Sequence, residues 1–400
     1  MRTTSSRSLK KMCQLICNLP DRVDRCNRKS GLEFVIFGMA MLEAVEVMAG
    51  RFRGCLVGSL MGDCLGAPFE GEPRCTRSVL NSYFKRLAAP DLKVPYKQYT
   101  DDTAMTRCVA QSLVDIKCFD PKDMARKFVK EYYADPKRGY GGNVIDVFAA
   151  LRASKFRDVY NPAALQFNGR GSYGNGGAMR VAPIALFCYA VEEKVLVDMA
   201  RDMALLTHAN RLGYNGAVLQ CLAVYEALHT PENRLDTVKF IESLILKMKK
   251  VEMPTEDDIL DEGEEPYVYV KRLEKVLELL EQGDSISREK VEEELGVYIS
   301  AHMSVPTAIY SFIRASNPIA GIETENEFLR TVQFAISLGG DTDTIASMAG
   351  SIAGAYYGFA KVPVNLQRHC EALSEAVQQA DDLLNLAFSR LSKDTSGTDH

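Results

Sequence analysis

Two short acidic motifs carry the clearest chemical signal in the chain, Thr100-Asp101-Asp102-Thr103 and Gly339-Gly340-Asp341-Thr342-Asp343-Thr344. Each stands ahead of an apolar run with helical periodicity. A single Asp or Thr at such a place is an N-cap, accepting hydrogen bonds from the first free N–H groups of the helix. A cap needs one side chain, whereas each motif offers two carboxylates flanked by hydroxyls. If the two helix starts face each other, Asp101, Asp102, Asp341 and Asp343 converge with several threonine oxygens, and their repulsion demands a cation. Hard oxygen donors without His or Cys select magnesium, manganese or calcium over zinc or copper. Two divalent ions would neutralise the cluster, with Asp343 shared between them at the roughly 3.5–4 Å separation usual for two-metal sites.

A second signal is a pair of glycine-rich segments, Gly139-Tyr140-Gly141-Gly142-Asn143 and Gly169-Arg170-Gly171-Ser172-Tyr173-Gly174-Asn175-Gly176-Gly177. Glycines let backbone N–H groups close around phosphate oxygens. Neither segment matches a Walker or dinucleotide fingerprint. Phe167 and Tyr173 offer flat faces for a base, and Ser172 and Asn175 can donate to phosphate or ribose oxygens. The competing reading is a plain surface loop, in which glycine and serine are common.

The elements that must position these residues read as helices throughout. Sustained period-two alternation is scarce, so the fold class is all-α. Residues 121 to 135 place Met124, Phe128 and Tyr132 at fourfold spacing between two prolines, and 236 to 250, 270 to 282, 288 to 301 and 372 to 392 show similar amphipathic stripes. Gly54, Gly58, Gly62 and Gly66 recur every four positions, as do Gly350 and Gly354. Glycine in a helix costs about 1 kcal/mol relative to alanine, so several in register imply close approach to another helix.

Four hundred residues, 46% hydrophobic and 25% charged, suffice for a large core. A net charge of -5 gives no global positive field for sequence-independent nucleic-acid binding. Eleven cysteines without a C-x-x-C pair fit neither a disulfide framework nor a zinc module, and point to a reducing compartment. The first thirty residues are basic and acid-poor, the composition of a mitochondrial presequence or of a solvated tail. Residues 31 to 50 are apolar but carry Glu33, Glu43 and Glu46, which exclude a membrane span. Residues 252 to 266 hold eight acids and no bases, a solvated surface insertion in one domain.

Four segments make a family resemblance specific: Gly58-Ser59-Leu60-Met61-Gly62-Asp63, Tyr99 to Met105, Gly171 to Arg180 and Ser337 to Thr344. In that order they resemble the motifs of the ADP-ribosylhydrolase family related to dinitrogenase reductase-activating glycohydrolase, and most of all its serine-linkage branch. The likeness runs from about Arg51 to near the C-terminus and includes Ser304-Val305-Pro306-Thr307-Ala308-Ile309-Tyr310. It implies a compact, single-domain orthogonal helical bundle over residues 51–395, with residues 1–50 as an extension.

By the same resemblance, two magnesium ions are held by Thr100, Asp101, Asp102, Asp341, Asp343 and Thr344. Glu70, in Ala67-Pro68-Phe69-Glu70, corresponds to a mobile glutamate that touches the metal site, and with Asp343 it is a catalytic candidate. Without the family, Glu70 is an ordinary acid after a proline turn. Gly139, Tyr140, Gly141, Gly142, Phe167, Ser172, Tyr173, Gly174, Asn175 and His208 are implied to line the ADP-ribose cleft. His208 alone reads as a satisfied core histidine.

The activity implied is hydrolysis of ADP-ribose linked to serine on proteins and of poly(ADP-ribose). A monomer is expected that acts in the nucleus and cytoplasm or the mitochondrial matrix, without direct DNA or membrane binding. Arginine-linkage hydrolases share the metal motifs, and a non-catalytic ADP-ribose binder would share the fold. Class I isoprenoid synthases also pair Asp-rich helices around magnesium, but here Thr103, Ala104 and Met105 follow Asp102 without the third acid of a D-D-x-x-D run.

Overall fold

The longest helix, α1, runs without a break over Gly31–Gly66. It belongs to a computed structural model that describes residues 31–71, 74–90, 96–254 and 265–393. Nineteen α-helical segments, several of a single turn, and no β-strand occur among the described residues. Those that position the site are α1, α2 (Asp101–Ile116), α3 (Arg211–His229), α4 (Val305–Arg314), α5 (Glu327–Ser337), α6 (Thr342–Tyr357) and α7 (Leu373–Lys393).

Every residue of α6 from Thr342 to Tyr356 is buried, which a stripe of small and apolar residues all round the helix dictates. The two glycine series meet each other. Helices α1 and α6 run antiparallel, with Gly54 against Gly354, Gly58 against Gly350, Gly62 against Ala346 and Gly66 against Thr342. A Cβ on Gly58 would stand 2.2 Å from the Gly350 carbonyl oxygen, and one on Gly62 would stand 2.1 Å from that of Ala346. The propensity cost of about 1 kcal/mol per glycine is offset by backbone-to-backbone dispersion along the whole seam. Ser59 and Ser347 hydroxyls bond across it at 2.9 Å. Thr342 Oγ1 donates to Gly66 O at 3.0 Å, satisfying one of the orphan carbonyls at the end of α1. Gln220 of α3 reaches α6 from the other side, donating to Met348 O and Ser351 Oγ.

The amphipathic stripes fold largely as read: Pro121–Ala134, Thr237–Val251, Val268–Glu281 and α7 are helices. The expected helix 288 to 301 is a correction, because it stops at Leu295. Gly296 takes φ 84°, and a side chain there would meet Met303 at 2.6 Å. The chain then leaves the helix, and the Val297 and Ile299 carbonyls accept from Asp341 N and Asn175 N at 2.9 and 2.8 Å. Glu252 is a second correction. The composition of residues 252 to 266 predicts a solvated side chain there, yet Glu252 is 3% exposed. Its carboxylate accepts from Tyr269 N and Val270 N, capping the helix that follows the insertion. Residues 255–264 of the insertion and the basic first thirty residues lie outside the described residues. No described helix is long and apolar enough to cross a membrane.

Candidate metal centre and nucleotide cleft

The start of α2 shows how two carboxylates are released from capping. Thr100 is the N-cap, its hydroxyl accepting from Asp102 N. Asp63, from the last turn of α1, accepts from Thr100 N at 3.0 Å and from Thr103 N at 3.1 Å. With the free N–H groups met by Thr100 and Asp63, Asp101 and Asp102 can turn to the cleft. Asp101 is anchored through its backbone, because its N–H donates to Arg138 O at 2.7 Å. Arg138 in turn is held bidentately by Glu371, at 2.6 and 3.0 Å, and donates to Tyr99 O. Three distant segments thereby fix the angle at which α2 begins.

The second acidic motif sits at the start of α6, placed against α1 by the glycine seam. Asp341 makes no capping bond; its carboxylate accepts from Asn175 Nδ2 at 2.6 Å. Thr344 Oγ1 donates to Asp102 Oδ2 at 3.0 Å, so the two helix starts touch. Glu70, Asp341 and Asp343 bring carboxylate oxygens within 4.8 Å of one another. Burial is the main cause that raises every acid here. Asp101 is pushed up to about 8, with Asp63 adding to the effect, and Asp63 itself to about 6. Asp102 and Asp343 rise well above the carboxylate range, with Asp343 and Asp341 respectively as the next causes. No described Lys or Arg forms an ion pair with any of them. Asp102 Oδ1 and Thr103 Oγ1 are buried without a hydrogen-bond partner. An oxygen-only donor set with an orphaned carboxylate oxygen, and with no ion pair to its carboxylates among the described residues, fits a hard divalent cation.

The match of the ADP-ribosylglycohydrolase family model spans residues 45–395. The chain belongs to the ADP-ribosylglycohydrolase family. ADP-ribosylhydrolase ARH3 of Mus musculus is 48% identical over 355 residues, covering 86% of this chain and 93% of the mouse protein. ADP-ribosylhydrolase ARH3 of Homo sapiens is 47% identical over 81% of this chain and 90% of its own length. A solved ADP-ribosylglycohydrolase-related protein complex shares the fold, with TM-score 0.57 and 24% identity over 87% of this chain and 99% of that one.

Within this family fold, the cleft is walled by Glu70, Thr100, Asp101, Asp102, Asp341, Asp343 and Thr344 on the acidic side. Gly139, Gly141, Ser172, Gly174, Asn175 and His208 line the same cleft. The structure therefore brings the acidic motifs and both glycine segments together, as the sequence reading required. Tyr140 and Gly142 do not line the cleft: the Tyr140 ring turns away to pack edge-on against Tyr132 and Phe148. Phe167 and Tyr173 are exposed rather than inside, their rings tilted at 6.3 Å. His208 is a buried histidine that also faces the cleft, so the two readings of it coincide.

Several lining or supporting residues escaped the sequence reading. Asp63 left one signal, the single acid in the apolar stretch 54 to 66. Ile299 lines the cleft only because Gly296 ends the preceding helix. Arg180 stands only as the last residue of the Gly171 to Arg180 motif, with no role attached to it, and Thr207 left no signal, since it lies in a segment that reads as core.

Proposed function

We propose that this chain is a magnesium-dependent ADP-ribosylhydrolase that cleaves the O-glycosidic bond between ADP-ribose and serine on proteins, and the O-linked bonds of poly(ADP-ribose). The observation that carries the proposal is the convergence of Asp101, Asp102, Asp341 and Asp343 on one cleft that both glycine segments also line. The likeness to proteins named ADP-ribosylhydrolase ARH3 supports the same chemistry.

In this reading, Thr100, Asp101, Asp102, Asp341, Asp343, Thr344 and Glu70 hold two magnesium ions. When bound, the ions supply charge neutralisation, orientation of the ribose hydroxyls and activation of water. The glycine segments and Ser172 hold the diphosphate, and Phe167 and Tyr173 at the rim take the adenine. Departure of the seryl oxygen gives an oxocarbenium-like transition state, whose positive charge the carboxylates oppose. Glu70 is the exposed member of the acidic set, reached by solvent, and is the group placed to exchange a proton with water or leaving group. Residues 51–395 form the catalytic unit, acting as a monomer in the nucleus, the cytoplasm or the mitochondrial matrix.

The deciding experiment is hydrolysis of an ADP-ribosylated serine peptide with and without magnesium, beside an arginine-linked peptide. Release of ADP-ribose from the serine peptide alone, and only with magnesium, is expected. Release from the arginine peptide instead reassigns the linkage, and binding of ADP-ribose without release from either peptide ends the enzymatic reading.

A further inference from the structure

Arg180 lies in the floor of the cleft and is 0% exposed, without a carboxylate in contact. Its guanidinium has donors only. Nη1 donates to Gly176 O at 2.6 Å, Nη2 to Thr207 Oγ1 at 2.7 Å and to Met203 O at 3.3 Å, and the group lies over the Phe128 ring. Thr207 is buried as well, and its hydroxyl lies 2.7 Å from His208 Nδ1. Among the described residues the hydroxyl has these two side-chain partners and no other.

Hydrogen counting then decides the imidazole. Thr207 accepts from Arg180, so its one hydrogen needs an acceptor, and His208 Nδ1 is the acceptor within reach. If Nδ1 carried a proton, the hydroxyl hydrogen would be stranded in the interior, at roughly 1–3 kcal/mol. The remaining proton of a neutral ring therefore sits on Nε2. Burial, with Arg180 close by, pushes the His208 pKa down to about 3, which keeps the ring neutral. Glycine at two positions keeps Nε2 open. A Cβ on Gly174 would stand 3.2 Å from Nε2, and one on Gly176 would stand 3.0 Å from it.

We propose that Arg180 and Thr207 are positioning residues that fix His208 as the Nε2–H tautomer, so that it presents a hydrogen-bond donor to a diphosphate or ribose oxygen of the ligand. The ligand half of the statement rests on the ADP-ribose reading of the cleft. The tautomer half rests on hydrogen bonds alone.

The test uses the full chain labelled with 15N-histidine, in a two-bond 15N–1H correlation at neutral pH, with the His208 signal assigned by its loss in His208→Gln. An unprotonated Nδ1 and a protonated Nε2 are expected. Thr207→Val removes the hydroxyl at nearly constant shape. It should release the tautomer preference and weaken ADP-ribose binding by roughly fivefold or more, the worth of about one hydrogen bond, while Thr207→Ser restores both. A protonated Nδ1 in the parent, or Thr207→Val with parental tautomer and affinity, overturns the relay. The measurement on the parent needs no variant to fold. A parent with the expected tautomer and no affinity for ADP-ribose in magnesium would instead overturn the reading of the cleft and the donor role, leaving the relay's tautomer standing.

Discussion

At Asp102 the two carboxylate oxygens differ sharply: Oδ2 accepts from the Thr344 and Thr100 hydroxyls, while Oδ1 is buried and unpartnered. That oxygen is either a metal ligand or a standing cost to the fold. Asp102→Asn separates the two effects. Magnesium-dependent turnover should fall at least roughly 100-fold, since groups merely supporting a metal ligand are already worth about 10–100-fold. The metal-free variant, relieved of one member of a repelling set, should gain on the order of 1 kcal/mol, each unit of pKa displacement being about 1.4 kcal/mol. Thermal unfolding in chelator and steady-state assays read the two numbers. A variant with parental turnover would remove Asp102 from the site.

Among elements, the seam between α1 and α6 matters most, because it carries Asp63 and Glu70 on one side and Asp341 and Asp343 on the other. Gly62→Ala places a methyl group 2.1 Å from a backbone carbonyl, so the helices must part. A loss of about 1–3 kcal/mol is expected, together with weaker magnesium binding by calorimetry. Gly50→Ala is the control: nothing lies within 4 Å of a Cβ there. It should gain up to about 1 kcal/mol from helix propensity, with activity unchanged. A Gly62→Ala protein as stable as the parent would show that the seam tolerates separation.

The seam was legible in the sequence as two glycine series, and the acidic motifs as two doubled caps, because both are local patterns with a fixed period. What the sequence withheld depends on contacts between distant segments. Asp63 looks like any helix-end acid until Thr100 and Thr103 are folded onto it. Glu252 carries the composition of a solvated run until the next helix turns back and presents its free N–H groups. The Tyr140 ring shares a glycine segment with cleft residues, but an aromatic cluster draws it to the other side. Residues 297 to 300 look like the end of an amphipathic helix until Gly296 adopts a positive φ.

For the whole molecule, the buried acids tie stability to pH and metal together. In the unfolded chain an aspartate titrates near 3.9, whereas in the folded metal-free protein Asp63 and Asp101 titrate at about 6 and about 8. Between those values the folded state binds more protons than the unfolded state, so stability falls as pH rises. The contribution is complete below about pH 4 and is lost on passing about pH 8. Unfolding temperatures in chelator should therefore drop between about pH 5 and about pH 8, and magnesium should raise them more at the upper pH. A metal-free protein indifferent to pH across that range would contradict the burial of these carboxylates.

The seam also raises a question of alignment that glycine cannot answer. Sliding α1 by four residues would set Gly54 against Gly350 and Gly50 against Gly354, small facing small once more. That shift moves the helix about 6 Å along its axis, enough to carry Asp63 off the first amides of α2. The ladder is in effect a smooth rail with several equivalent stops. The Ser59–Ser347 pair and the Thr342 bond to Gly66 act as its detent, joined by Arg51 on the Leu228 carbonyl and Arg53 on Asp381, so a handful of side-chain bonds, and not the glycines, decide whether the acidic pocket assembles.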